Sequence, residues 1–173
     1  MQASQIVDVF NRLFSESYQT RLVGNAREPY YEAGENRGGV IYFCSDYASS
    51  AVHEVAHWCM AGSNRRRQND YGYWYADTRD AQNQKQFESV EAKPQALEWV
   101  FSQALGITFK VSADNLELPD YDLVPFRGLV RQALEARLSE GLPPRAAIFA
   151  AALADLGQGS PYDRIEFFAP LPD

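Results

Sequence analysis

Most of the chain carries the hydrophobic periodicity of amphipathic helices. Near its start, apolar residues recur three and four positions apart, at Ile6, Val9, Phe10, Leu13 and Phe14. The same periodicity predicts a helix that ends near Met60, a long helix over about 80–105, and two more over about 123–140 and 144–156. Glycines follow the last three of these segments and act as stop signals.

Pro94 lies inside the long predicted helix. Proline has no backbone N–H, and its ring clashes with the carbonyl four residues back, here that of Val90. We therefore expect a kink or a break in this helix beside Glu91.

Shorter apolar runs between turn-forming residues predict a small β-sheet. The clearest strand is Val40–Cys44, and Thr20–Val23 and Tyr30-Tyr31 are shorter candidates, the last as an edge strand. Small residues at 48–51 begin the next helix, so that helix can lie close to the sheet. The predicted fold class is α+β, mostly helical, with a small β-sheet packed against this helix.

Composition narrows the functional classes. With 173 residues and 46% hydrophobic content, the chain is long enough for one domain, 1–173, with its own core. A net charge of −7 argues against nucleic acid as a partner. The sequence shows no secretion signal and no apolar run long enough to span a membrane, so a cytoplasmic protein is expected.

The chain has only two histidines, and they lie four residues apart as His53-Glu54-Val55-Ala56-His57. Residues four apart share one face of a helix, so two neutral imidazoles can bind one divalent metal. The glutamate between them, Glu54, is placed to act as a base near the metal. We expect a metal site here, the alternative being a histidine pair without a ligand.

A third protein ligand is needed, and no further histidine is available. The candidates are three carboxylates of the next long helix, Glu88, Glu91 and Glu98. The stretch Glu88-Ser-Val-Glu91-Ala matches the Glu-x-x-Glu-Ala pattern of many two-helix metalloproteins, which favours Glu91 as the ligand and Glu88 as its neighbour. Two histidines and one carboxylate suit Zn²⁺ for hydrolysis and equally suit Fe²⁺ for oxygen chemistry. A purely structural metal would normally have four protein ligands.

Several longer motifs resemble the bacterial elongation factor P hydroxylase family. They are His-Glu-Val-Ala-His-Trp-Cys-Met-Ala-Gly at 53–62, Asp-Tyr-Gly-Tyr-Trp-Tyr at 70–75, Arg-Asp-Ala-Gln at 79–82, Gln-Phe-Glu-Ser-Val-Glu at 86–91 and Lys-Pro-Gln-Ala-Leu-Glu-Trp at 93–99. Together these signatures are far more specific than the histidine motif alone. The resemblance extends more faintly over most of the chain but not to the tail from Pro161.

The resemblance implies a non-haem iron hydroxylase on a zincin-like scaffold. Such an enzyme adds oxygen from O₂ to a lysine side chain of elongation factor P that already carries a β-lysyl group. On this chain the implied ligands of Fe²⁺ are His53, His57 and Glu91, and Glu54 matches the motif glutamate. Zn²⁺ is the alternative metal or a substitute acquired on purification.

A substrate side chain that carries ammonium groups calls for carboxylates and aromatic faces. The candidates for substrate binding are Tyr73, Trp74, Tyr75, Asp77 and Glu88. The rival hypothesis is a zinc peptidase with Glu54 as the base. An oxyanion donor such as Tyr73 or Tyr75, and an exposed edge strand at 40–44 for an extended peptide, would favour the peptidase.

Overall fold

The computed structural model describes residues 2–35, 38–72, 81–113, 121–158 and 161–171. Over these residues the fold is α+β, as predicted. Its helices are α1 (Ala3–Phe14), α2 (Ala48–Met60), α3 (Ala81–Leu105), α4 (Val124–Glu140) and α5 (Pro144–Leu156), and its strands are β1 (Thr20–Ala26), β2 (Tyr30–Ala33) and β3 (Gly39–Cys44). Short 3₁₀ turns cover Arg65–Arg67 and Ile165–Phe167, and Asn69–Gly72 forms a separate non-helical turn. None of the helices in these ranges has the length and apolar character that crossing a membrane requires.

The sheet has β3 in its middle. β3 pairs with β1 in parallel and with β2 in antiparallel orientation. Burial alternates along β3, and Ile41 and Phe43 point into the core, as the period of two along a strand requires. The predicted strands are confirmed, and β1 is longer than its apolar segment because it continues through a register shift between Val23 and Ala26.

Helix α2 follows β3 directly and packs against it. Its small first residues allow this approach, and one side of the helix is fully buried. That side carries Trp58, whose ring lies 5.2 Å from the Phe10 ring and 5.0 Å from the Phe14 ring of α1. Phe149 of α5 closes the same aromatic cluster at 5.8 Å from Phe10. The core therefore holds α2 between the sheet and the first and last helices.

Arg145 of α5 holds the last turn of α2. Its Nη2 lies 2.9, 2.9 and 2.7 Å from the carbonyl oxygens of Trp58, Cys59 and Ala61. Its guanidinium also stacks over the Trp58 ring at 4.6 Å. A cation at the carbonyl end of a helix satisfies backbone acceptors and opposes the negative end of the helix dipole.

Helix α3 runs without interruption through Pro94, so the expected break does not occur. Proline removes one helical hydrogen bond, that of the Val90 carbonyl. Val90 lies on the outer side of the helix and is 36% exposed. Packing along the opposite side keeps the two halves together.

The buried side of α3 carries a stripe of polar residues, which we call the α3 polar stripe. Its members are spaced alternately four and three positions apart, which places them on one face of the helix. They are Gln84, Glu88, Glu91, Gln95, Glu98 and Ser102. This face contains the carboxylates that meet α2.

Candidate metal centre

The two histidines of α2 direct one nitrogen each to the same point. His53 Nε2 and His57 Nε2 are 3.1 Å apart, because the residues lie one helical turn apart. Their side chains are 27% and 18% exposed. The pair is therefore reachable from outside and is not part of the packed core.

Glu91 of the α3 polar stripe completes the group. Its Oε2 lies 3.4 Å from His57 Nε2 and 3.9 Å from His53 Nε2. Among the described residues these three form the one group of histidine, cysteine or carboxylate side chains with the mutual spacing of metal ligands, all within 4.8 Å of one another. The structure thus brings His53, His57 and Glu91 together, and their role as ligands stays a prediction.

These distances fit a first-row divalent metal. Ligand atoms bound at about 2.1 Å in tetrahedral or octahedral geometry lie about 3.0–3.4 Å from one another. The distance between the histidine nitrogens and that from Glu91 to His57 already lie in this range. Only the separation of 3.9 Å between Glu91 and His53 has to shorten, and a glutamate side chain moves that far by a small rotation.

Glu98 makes a contact with His53 that sequence reasoning missed. It was one of three candidates for the third ligand, but its Oε2 accepts a hydrogen bond from His53 Nδ1 at 2.8 Å. A carboxylate behind a histidine ligand orients the ring and makes its other nitrogen a better donor to metal. The spacing of seven residues between Glu91 and Glu98, two helical turns, was the signal that both face α2.

The surrounding carboxylates change the titration of His53. Burial alone would lower the pKa of His53, but Glu98 at Nδ1, with Glu54 and Glu91 nearby, raises that pKa to about 10. The metal-free site therefore holds a proton on an imidazole between acidic groups. A cation such as a divalent metal is the natural replacement for that proton.

Glu54 lies beside the pair without a hydrogen bond from any residue in the described ranges. Burial raises the pKa of Glu54, and the two imidazoles of His53 and His57 partly oppose this effect. Glu91 and Asp70 raise it further. A carboxyl group with a raised pKa next to a candidate metal site is suited to accept and release a proton.

The predicted substrate-binding residues divide into two groups. Tyr73, Trp74, Tyr75 and Asp77 lie outside the described residues. Glu88 is described and is 3% exposed. It accepts a hydrogen bond from Gln84 Nε2 at 3.3 Å. Its place on the α3 polar stripe is one turn before Glu91, and its role in substrate binding stays a prediction.

A cleft of about 540 Å³ opens at the site. It is bordered by the end of α2 with the following turn and by the middle of α3. Its lining residues are His57, Met60, Ala61, Gly62, Ser63, Asn64, Arg65, Ser89, Val90, Glu91, Lys93 and Pro94. Two of the three candidate ligands, His57 and Glu91, thus face a space large enough for a long side chain.

The turn Asn69–Gly72 brings a second unexpected residue to the site. The Tyr71 ring is nearly parallel to the His57 imidazole, with centroids 6.5 Å apart. Burial raises the pKa of Tyr71 well above its ordinary value, and the nearby Glu54 carboxyl raises it further. Tyr71 was part of a recognised motif, but nothing in its spacing indicated that it, more than its aromatic neighbours, approaches the histidines.

Two comparisons with known proteins agree with each other. A family model described as elongation factor P hydroxylase matches residues 9–167. An elongation factor P lysine hydroxylase of Haemophilus influenzae is 43% identical over 151 residues, which cover 86% of this chain and 85% of that relative.

Proposed function

The chain belongs to the elongation factor P hydroxylase family, and on that premise we propose that it hydroxylates the β-lysylated lysine side chain of elongation factor P. The observation that carries the proposal is the open three-ligand group on a cleft. Two imidazoles and one carboxylate supply three donor atoms and leave further positions of a metal vacant. A metal site with vacant positions is typical of catalysis, whereas a structural metal normally has four protein ligands.

We propose Fe²⁺ as the metal and O₂ as the cosubstrate, with Zn²⁺ as the alternative. The donor set His53, His57 and Glu91 is the one that non-haem iron oxygenases use. Bound iron would supply the oxidising chemistry that an unactivated carbon requires. The proposal treats residues 1–173 as one hydroxylase domain with a zincin-like arrangement of α2 against the sheet, acting in the cytoplasm.

The chain's own residues position and balance this chemistry. Glu98 holds the His53 ring through Nδ1 so that Nε2 faces the site. Glu54, with its raised pKa, can hold a proton at its carboxyl oxygen next to the reacting groups. The buried side of α3 keeps water from the inner wall of the site, where Glu91 is only 4% exposed.

For the substrate we propose recognition of its ammonium groups by acidic and aromatic side chains. Glu88 lies one helical turn from Glu91. It is the buried carboxylate of the α3 polar stripe to which we assign no role in holding the metal or His53. Tyr73, Trp74, Tyr75 and Asp77 follow the turn that carries Tyr71, and we assign them to the same task. A buried carboxylate that binds an ammonium group forms a charge-assisted hydrogen bond, the stronger kind.

The rival zinc peptidase would bind an extended peptide along a free strand edge. The strand expected at that edge, β3, lies in the middle of the sheet with a partner on each side. The outer edge of β2 is also occupied, because Asp70 Oδ1 accepts from Tyr31 N–H at 2.8 Å and Asn69 Oδ1 from Ala33 N–H at 3.0 Å. These contacts take the backbone donors that a peptide strand would need.

Anaerobic reconstitution with Fe²⁺ or Zn²⁺, followed by addition of a two-electron reductant such as ascorbate, air and β-lysylated elongation factor P, tests the proposal. The reductant supplies the electrons that turn the second oxygen atom of O₂ into water. The expected result is a mass gain of one oxygen atom on the substrate with iron only. Elongation factor P without the β-lysyl group is the matched control and should remain unchanged. Peptide cleavage with the zinc form, or no mass gain with iron, would contradict the proposal.

A further inference from the structure

Three consecutive residues after the α2 helix adopt left-handed backbone conformations. Asp70 has φ 46° and ψ 32°, Tyr71 has φ 58° and ψ 18°, and Gly72 has φ 72°. Glycine adopts this region without strain, but an aromatic residue there is unusual and costs free energy. Such a conformation persists only where surrounding contacts determine it.

Hydrogen bonds to the turn provide those contacts. Asn69 and Asp70 accept from the backbone of β2, as described above, and Arg65 Nη1 donates to the Tyr71 carbonyl oxygen at 3.2 Å. The Tyr71 ring stacks on Tyr31 with centroids 4.3 Å apart and an angle of 13° between the planes. The position of the Tyr71 side chain is therefore determined by contacts with the sheet, with the preceding turn Arg65–Arg67 and by its own backbone conformation.

The two stacked tyrosines differ in their hydroxyl groups. Tyr31 donates to the Arg66 carbonyl oxygen at 2.9 Å. The Tyr71 hydroxyl is buried, in a residue only 5% exposed, and no hydrogen-bond partner for it exists in the described part of the chain. A buried donor without a partner is costly, so its retention in a strained and well-supported turn calls for an explanation.

We propose that Tyr71 is a further residue of the metal site, whose hydroxyl donates a hydrogen bond to a small oxygen-containing or anionic ligand bound beside Glu54. The Glu54 carboxyl lies close enough to act on this hydroxyl electrostatically, and the His57 ring lies nearly parallel to the Tyr71 ring at 6.5 Å between centroids. A phenol is protonated at neutral pH, so the hydroxyl is a donor. The inference rests on the proposed function in that it presupposes a metal at His53, His57 and Glu91 with a vacant position.

Azide binding to the Co²⁺-loaded protein, followed by visible absorption, tests this role without the substrate. For Tyr71→Phe we expect Co²⁺ affinity within about threefold of the wild type and azide affinity reduced about tenfold or more, the effect of one hydrogen bond to a charged ligand. Thermal unfolding of the metal-free variant should occur at the same or a higher temperature, because the hydroxyl that is removed has no partner.

Tyr31→Phe is the matched control. It removes a paired hydroxyl from the ring stacked on Tyr71, so the metal-free protein should unfold at a lower temperature while azide affinity stays unchanged. The inference is overturned if Tyr71→Phe binds azide as well as the wild type, if both variants lose azide affinity equally, or if Tyr71→Phe destabilises the protein as Tyr31→Phe does.

The azide test of Tyr71 and the hydroxylation test of the proposed function can fail independently of each other. If the wild type binds Co²⁺ and azide as expected but iron gives no oxygen gain on elongation factor P, the proposed function fails and the role of Tyr71 stands. If hydroxylation occurs and Tyr71→Phe leaves azide binding intact, the proposed function stands and the role of Tyr71 fails. A wild type that binds neither Co²⁺ nor Fe²⁺ overturns both.

Discussion

The two sides of helix α2 differ in how completely other residues of the chain pack against them. One side buries Trp58 against the Phe10 and Phe14 rings of α1, and Phe149 of α5 belongs to the same aromatic cluster. The other side presents His53, Glu54 and His57 to the carboxylates of α3, half open to a cleft. The packed side provides the stability that lets the other side keep strained and unpaired groups, as functional sites require.

The largest effect is expected on the open side. His53→Ala or His57→Ala should abolish stoichiometric metal binding, because one imidazole and one carboxylate bind a divalent metal poorly. The metal-free variants should remain folded, since the histidines contribute little to the core. Metal content after reconstitution and thermal unfolding without metal measure the two parts. Stoichiometric metal in both variants would refute the ligand assignment.

The packed side should show the opposite response. Phe149→Ala removes a fully buried ring that lies 5.0 Å from the Phe101 ring. It should reduce the free energy of unfolding of the metal-free protein by about 3–5 kcal/mol, the usual cost of a large cavity in a core. Chemical denaturation measures this change.

Ile148→Ala is the control for that variant, because Ile148 adjoins Phe149 and is 47% exposed. It should change the free energy of unfolding by only about 0.5 kcal/mol. Equal losses in the two variants would show that α5 does not distinguish a packed side from an open one.

Glu98→Gln probes the contact that joins α3 to the open side. The amide keeps the size of the side chain but loses the charge that orients His53 through Nδ1. Metal affinity should fall about 10–100-fold, the usual loss when the partner behind a histidine ligand is removed. Competition with a chelating dye measures it.

Glu135→Gln is the matched control for that variant. Glu135 pairs with Arg131 on the exposed surface of α4, so its substitution should leave metal affinity unchanged. A Glu98→Gln variant with wild-type affinity would mean that the hydrogen bond to His53 has no part in binding.

On the open side of α2, the sequence was sufficient to predict which residues share a helix face but not which of them come into contact. The spacing of His53 and His57 predicted a shared face, and the spacing along α3 placed Glu91 and Glu98 on one face as well. Which carboxylate lies closer to which nitrogen depends on how α2 and α3 are offset along their axes, and no local pattern encodes that offset.

Two further features were beyond local patterns for a similar reason. Tyr71 reaches the site through left-handed backbone at a non-glycine residue, which depends on side-chain contacts with β2. Pro94 was expected to kink or break α3, and the helix does not break there, because the packing that surrounds it outweighs the loss of one hydrogen bond. In both cases contacts between distant segments decided against a local preference.

The smallest effect concerns the two cysteines, Cys44 on β3 and Cys59 on α2. Cys59 is only 3% exposed, and its burial raises the pKa of the thiol to about 12. Cys44 is half-buried on the sheet. A thiol reagent at mildly alkaline pH should therefore modify Cys44 in the native metal-free protein and spare Cys59, because the thiolate is the reactive form, whereas both should react after denaturation. The pattern should persist in His57→Ala, and rapid labelling of Cys59 there would mean that the packed side of α2 depends on the open one.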